Sequence, residues 1–128
     1  MPVLTLDNIN FLPNASAVYR IFANTPENIP VTINRFAGTD TNGLLYIGRT
    51  TKQNLRTRIY QFYATSRFNY TTHNHHAALK YKVNSVIQLA LGHHVLFFDY
   101  EICDSPEIRE NELLEAYAAV YGEYPPLN

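Results

Sequence analysis

Cysteine is nearly missing from this chain: Cys103 is the only one among 128 residues. A lone thiol excludes an internal disulfide and fits a reducing compartment. The opening stretch, MPVLTLDNIN, has neither the basic n-region nor the long apolar segment of a signal peptide. No apolar run reaches membrane-spanning length, since the longest is broken at Gln88 and again at Gly92-His93-His94. These absences predict a soluble, cytoplasmic protein with no membrane partner. Charged residues are also few, 16% against 46% hydrophobic, a balance that excludes a disordered tail and fits a globular protein. The length allows a real core, and one domain over residues 1–128 is expected.

A further absence is local. From Thr41 to Phe98 there is no Asp or Glu. That segment carries Arg49, Lys52, Arg56, Arg58, Arg67, Lys80 and Lys82, together with all five histidines. From Asp99 onward eight acids face one base, Arg109, so the formal net charge of -1 conceals two opposed halves. Two readings of that asymmetry are open. The halves neutralise each other across the fold, or the middle segment is a basic surface for a phosphate backbone and the acids are set apart to hold a metal.

Periodicity gives the elements. Ser16–Ala23 alternates as a strand, with Val18, Arg20 and Phe22 on one face and Ala17, Tyr19 and Ile21 on the other. Asn24–Gly43 is rich in Asn, Thr and Pro and reads as a long hairpin excursion, with a strand around Val31–Phe36. Leu44-Leu45-Tyr46-Ile47 is a short buried strand, and Gly48 after it permits close approach to the backbone or a positive backbone angle. Asn54 then caps a helix whose Leu55, Ile59 and Phe62 face inward, leaving Arg56 and Arg58 at the rim. A tyrosine on a strand beside arginines on a helix points to phosphate handling, because the guanidinium fork suits phosphate oxygens.

After a polar connection over Thr65–Asn74, His75–Leu91 has Leu79, Val83, Val86 and Ala90 at helical spacing, with Gly92 as the stop. His94–Cys103 is an apolar strand. Ser105 and Pro106 open a last helix that Gly122 closes, and the EYPPLN tail is extended. Residues 1–13 read as an irregular lead-in or an edge strand. The order is β-β-α-α-β-α, an α/β sheet with helices around it.

Ala17-Val18-Tyr19, Tyr46-Ile47-Gly48, an arginine after Asn54-Leu55, Glu115 in a late helix and Pro126-Leu127-Asn128 follow one another along the chain. Together they resemble the GIY-YIG nucleases, which include the amino-terminal incision domain of a repair excinuclease, homing endonucleases and restriction enzymes. Ala17 departs from the family's usual glycine. The resemblance implies a small domain built on a central three-stranded antiparallel sheet flanked by helices. It further implies metal-dependent hydrolysis of phosphodiester bonds in DNA. Glu115 would hold one divalent ion, Mg2+ or Mn2+. Arg58 would stabilise charge growing on the phosphate. Tyr19 and Tyr46 would activate the water, with the basic segment lowering a phenol's pKa, and Asn128 would brace the site. Gly48, Arg49, Lys52, Arg56 and Tyr60 would lie on the substrate side.

Two alternatives stay open within that reading. Relatives often carry Tyr or His four residues after the essential arginine; Phe62 stands there from Arg58, and Tyr60 from Arg56. The surrounding pattern favours Arg58. Glu112 shares a helix face with Glu115, which is preferred for its distance to Asn128. Taken without the family pattern, single tyrosines among the ten here read as packing, and helix arginines and glutamates as solvated surface. His73, His75 and His76 read as a solvated helix start rather than a zinc site, given one cysteine and no second cluster. Phe97 and Phe98 read as core, and Cys103 as buried and inert. A different class of function, a nuclease-like domain that binds nucleic acid or a protein partner without cutting, is the alternative to the enzyme.

Overall fold

A computed structural model describes residues 1–67, 75–91 and 94–128. It is mixed α/β. A central strand, β1 (Ala17–Asn24), pairs antiparallel with β4 (Leu44–Arg49) on one side and β5 (Val95–Ile102) on the other. Every residue of β1 except Arg20 is buried, which requires cover on both faces of the sheet. The alternation anticipated from sequence supplies it. Ala17, Tyr19, Ile21 and Ala23 enter one apolar cluster with Leu55, Ile59 and Phe62, while Phe22 enters a second with Leu114 and Tyr117.

The first face is closed by α2 (Leu55–Arg67). Asn54 Oδ1 accepts the Thr57 amide at 3.0 Å, the cap expected from sequence. Leu55, Ile59 and Phe62 are fully buried. At about 1.5–3 kcal/mol for each such side chain, that stripe pins the helix to the sheet and fixes which residues stand at its rim. The second face is closed by α5 (Pro106–Tyr121), with Pro106 in its first turn and Gly122 at φ 77° as its left-handed stop. Ser105 precedes it, although its side chain makes no capping bond.

The excursion between β1 and β4 contains a two-stranded hairpin, β2 (Ile33–Arg35) and β3 (Gly38–Asp40), where one strand was expected. The lead-in carries a short helix, α1 (Leu6–Asn10), and only Val3 bridges the edge of β5. The second expected helix is two, α3 (His76–Val83) and α4 (Ser85–Leu91). Asn84 breaks it: its backbone is extended, and its Oδ1 takes the Ile87 amide at 3.0 Å, so it starts a new helix rather than continuing the old one. The break turns the apolar spacing outward. Val83 and Val86 are exposed, and Ala77, Ala78 and Tyr81 supply the buried face instead. The expected stop at Gly92 and most of the polar connection over Thr65–Asn74 lie outside the described residues. Phe98 is fully buried as expected, Phe97 packs against the second cluster, and Cys103 is half-buried. No helix among the described residues is long and apolar enough to cross a membrane.

Candidate functional site

Tyr19 lies at the middle of β1, opposite Gly48 on β4, and Tyr46 lies two residues further along β4, opposite Ile21. The two phenol rings therefore lean over the same stretch of backbone, with centroids 6.0 Å apart. Gly48 is what permits this. A Cβ there would stand 2.5 Å from Tyr46 Cε2 and 2.6 Å from Tyr19 Cζ, distances no real side chain tolerates. Of the two roles open to this glycine from sequence, close approach is the one it plays; its φ is not positive.

Arg58 projects from the rim of α2 toward the same place. Its charge acts on Tyr19, Tyr46, His75 and Glu110. Nη1 donates to Gln61 Oε1 at 2.6 Å, and Nε is buried without an acceptor among the described residues. A buried guanidinium nitrogen left with a hydrogen to donate is a poised anion contact. Arg56 is committed elsewhere: Nε and Nη2 both donate to the Leu12 carbonyl, at 2.9 and 2.5 Å, tying α2 to the segment before β1. Of the two arginines left open by sequence, only Arg58 stands with the tyrosines.

Asn128 closes the far side. Its side chain donates to the Ile47 carbonyl at 2.8 Å and accepts from the Ile47 amide at 2.9 Å, bracketing β4 between Tyr46 and Gly48. Arg49 ends β4 with Nε 3.4 Å from Glu110 Oε1 and Nη1 3.9 Å from Glu107 Oε2. Lys52 is exposed in the loop before α2, and Tyr60 packs against the apolar cluster, its ring 6.4 Å from that of Tyr63.

The carboxylate that belongs to this group is Glu110. It faces Arg49, and its charge acts on Tyr46. Burial raises its pKa, against the pull of Arg49 and Arg58. Glu115 is not brought there: it is exposed, and its Oε1 accepts the Tyr124 hydroxyl at 2.8 Å. Glu112 is exposed and paired with Arg109 at 3.0 Å. The signal for Glu110 was present in the sequence. Leu114 and Tyr117 form the inward stripe of α5, and Glu110 is one turn before Leu114, whereas Glu115 is one residue past it and turned away.

His75 is the second side chain that sequence reasoning missed. Expected at a solvated helix start, it is only 2% exposed, while His76 beside it is exposed and His73 lies outside the described residues. Its Nε2 is 2.8 Å from the Tyr19 hydroxyl, and its ring stands edge-on to Tyr46 and Phe62 at 5.4 and 5.0 Å. It serves as N-cap of α3, its Nδ1 accepting the Ala78 amide at 3.4 Å. Burial, then the nearby Arg58, drop its pKa to about 3, so it is neutral at neutral pH.

The phenols run against expectation. Burial pushes Tyr19 well above the usual phenol value and Tyr46 above it too, and this outweighs the opposing charge of Arg58 in both. No group of three or more His, Cys, Asp or Glu that could share a metal occurs among the described residues. A single half-buried carboxylate suits a cation such as Mg2+, which keeps most of its waters and takes one or two protein carboxylates plus substrate phosphates. Glu110 fits that description, and Glu115 does not.

No protein-family model, curated protein or solved structure matches this chain. The functional reading therefore rests on the cluster itself.

Proposed function

We propose that this chain is a GIY-YIG-type endonuclease that hydrolyses phosphodiester bonds in DNA with one divalent cation, Mg2+ or Mn2+. The observation that carries the reading is the convergence of Tyr19 from β1, Tyr46 from β4, Arg58 from α2 and Glu110 from α5, four side chains far apart in sequence. The residues that converge are those the family resemblance singles out, with Glu110 in the place given to Glu115.

Roles follow from the surroundings. Arg58 has a buried Nε with no acceptor among the described residues, and it supplies the donor for charge developing on the phosphate. Glu110 would hold the cation, which when bound polarises the phosphate and favours departure of the leaving oxygen. Tyr46 is the more open of the two phenols. After losing its proton to solvent it takes one from the attacking water, as that water's oxygen bonds to phosphorus and the ester oxygen leaves. Tyr19, fully buried, supports it from below. Exposed Lys52, Arg67 and Lys80, all in the segment without acids before the acidic α5, supply charge for the DNA backbone.

A second reading has one observation in its favour. Both phenols are driven away from ionisation by burial, as in a domain that binds nucleic acid without cutting. Incubation with plasmid and with branched DNA, in Mg2+ and then Mn2+, separates the two. Cleavage by the wild type that is abolished in Glu110→Ala and retained in Glu115→Ala supports the enzyme. Absence of any cleavage, with DNA affinity equal in wild type and Glu110→Ala, overturns it in favour of the binding module.

A further inference from the structure

Among the described residues the Tyr19 hydroxyl has three polar neighbours: His75 Nε2 at 2.8 Å, the Tyr46 hydroxyl and the Arg58 guanidinium. A phenol has one proton to give, so only one neighbour can receive it. Arg58 is a donor only and cannot. The choice between His75 and Tyr46 depends on which imidazole nitrogen carries the proton.

The fold decides that at the other side of the ring. His75 caps α3, and its Nδ1 accepts the Ala78 amide. A nitrogen that accepts carries no hydrogen, so the neutral ring has its proton on Nε2, pointing at Tyr19. Nε2–H then donates to the Tyr19 oxygen. Among its neighbours in the described residues, the Tyr46 oxygen is then the one left that can accept the Tyr19 proton.

We propose that His75 is a positioning residue that turns the Tyr19 hydroxyl proton toward Tyr46, in a direction set by its capping of the first turn of α3. The consequence lies at Tyr46. With one lone pair occupied by Tyr19 O–H, its own proton faces the open side of the site. When that proton leaves, the phenolate is held by Tyr19 O–H and by Arg58. In the opposite tautomer Tyr19 would donate to His75 instead, and the Tyr46 phenolate would lose its nearest donor. Among the described residues, the charged and titratable groups around these hydrogen bonds are Tyr19, Tyr46 and Arg58 against His75, His76 on its own helix, and Glu110 and Arg49 against Tyr46.

The effect on rate rests on the nuclease reading, whereas the direction of the hydrogen bonds does not, so two measurements are paired. Long-range 1H–15N correlation of the labelled protein at neutral pH should show His75 protonated at Nε2 and bare at Nδ1. A proton on Nδ1 overturns the proposal, whatever the protein does to DNA. In the second arm, Asn and Gln divide the two functions of the ring. His75→Asn can cap Ala78 but cannot reach Tyr19; His75→Gln can place an amide N–H near the Nε2 position but loses the cap. With both variants folded by circular dichroism, His75→Asn should raise the ascending limb of the kcat–pH profile by about one pH unit, roughly tenfold in rate below it. His75→Gln should leave the limb in place and lower Tm. A wild-type limb in His75→Asn overturns the proposal. If even the wild type fails to cleave, the nuclease reading falls and the tautomer measurement still decides the assignment.

Discussion

Adding one methyl group at Gly48 should damage this protein more than its size suggests. In Gly48→Ala the new Cβ meets Tyr46 Cε2 at 2.5 Å, Tyr19 Cζ at 2.6 Å and the Tyr19 hydroxyl at 2.7 Å. Tyr46 has some open space to move into, but Tyr19 is fully buried beneath α2 and bonded to His75. Overpacking of a closed core costs about 1–3 kcal/mol. Replacing glycine by alanine within a strand recovers roughly 0.5–1 kcal/mol through backbone entropy. A net loss of about 1–2 kcal/mol follows, a fall in Tm of roughly 4–8 °C for a chain of this size. Thermal denaturation beside Gly38→Ala is the assay, since a Cβ at Gly38 meets Tyr121 Cδ1 at an ordinary 3.6 Å. That control should match wild type or gain up to about 1 kcal/mol. Equal Tm values for the two variants would refute the claim that Gly48 exists to let the phenols lie over β4.

Other consequences are independent of that one. Arg58→Ala should lower kcat by about 10²–10³. Arg56→Ala should act mainly on stability, by about 1–2 kcal/mol, through its bonds to the Leu12 carbonyl; equal activity loss in the two would remove Arg58 from its role. His75 has its folded pKa lowered from 6.5 to about 3, so its contribution is present above pH 6.5 and is lost as pH falls toward 3. Urea denaturation at neutral and acid pH should show a steeper loss in wild type than in His75→Asn, and parallel curves would contradict the buried neutral ring. Tyr19 and Tyr46 behave in the opposite sense. Their folded pKa values are raised, so their contribution is intact below the unfolded phenol value of about 10 and is lost as pH climbs above it, which Tyr46→Phe should partly relieve in alkaline melts. Asn128→Ala should cost about 1–2 kcal/mol by freeing the amide and carbonyl of Ile47, and wild-type stability in that variant would refute the bracket.

Sequence alone determined the elements whose signals are local. The alternation over Ala17–Ala23 set the two faces of β1, Asn54 and the Leu55-Ile59-Phe62 stripe set α2, and Pro106 with Gly122 bounded α5. Each of these depends on neighbours two to four residues away, where backbone geometry leaves few choices. Tertiary structure decided the rest of the candidate site's membership. The pattern around Arg56 and Arg58 favours Arg58 but leaves both open until a carbonyl of Leu12 claims Arg56. Glu110 and Glu115 differ by a turn of about 140° around the same helix, and only the packing of Leu114 and Tyr117 against the sheet says which faces Arg49. His75 is polar, sits among other histidines, and looks solvated along the chain, yet it is buried with a hydrogen-bond partner, Tyr19, that lies 56 positions away. Local pattern fixes where a side chain leaves the backbone; which partner waits for it depends on contacts the pattern does not contain.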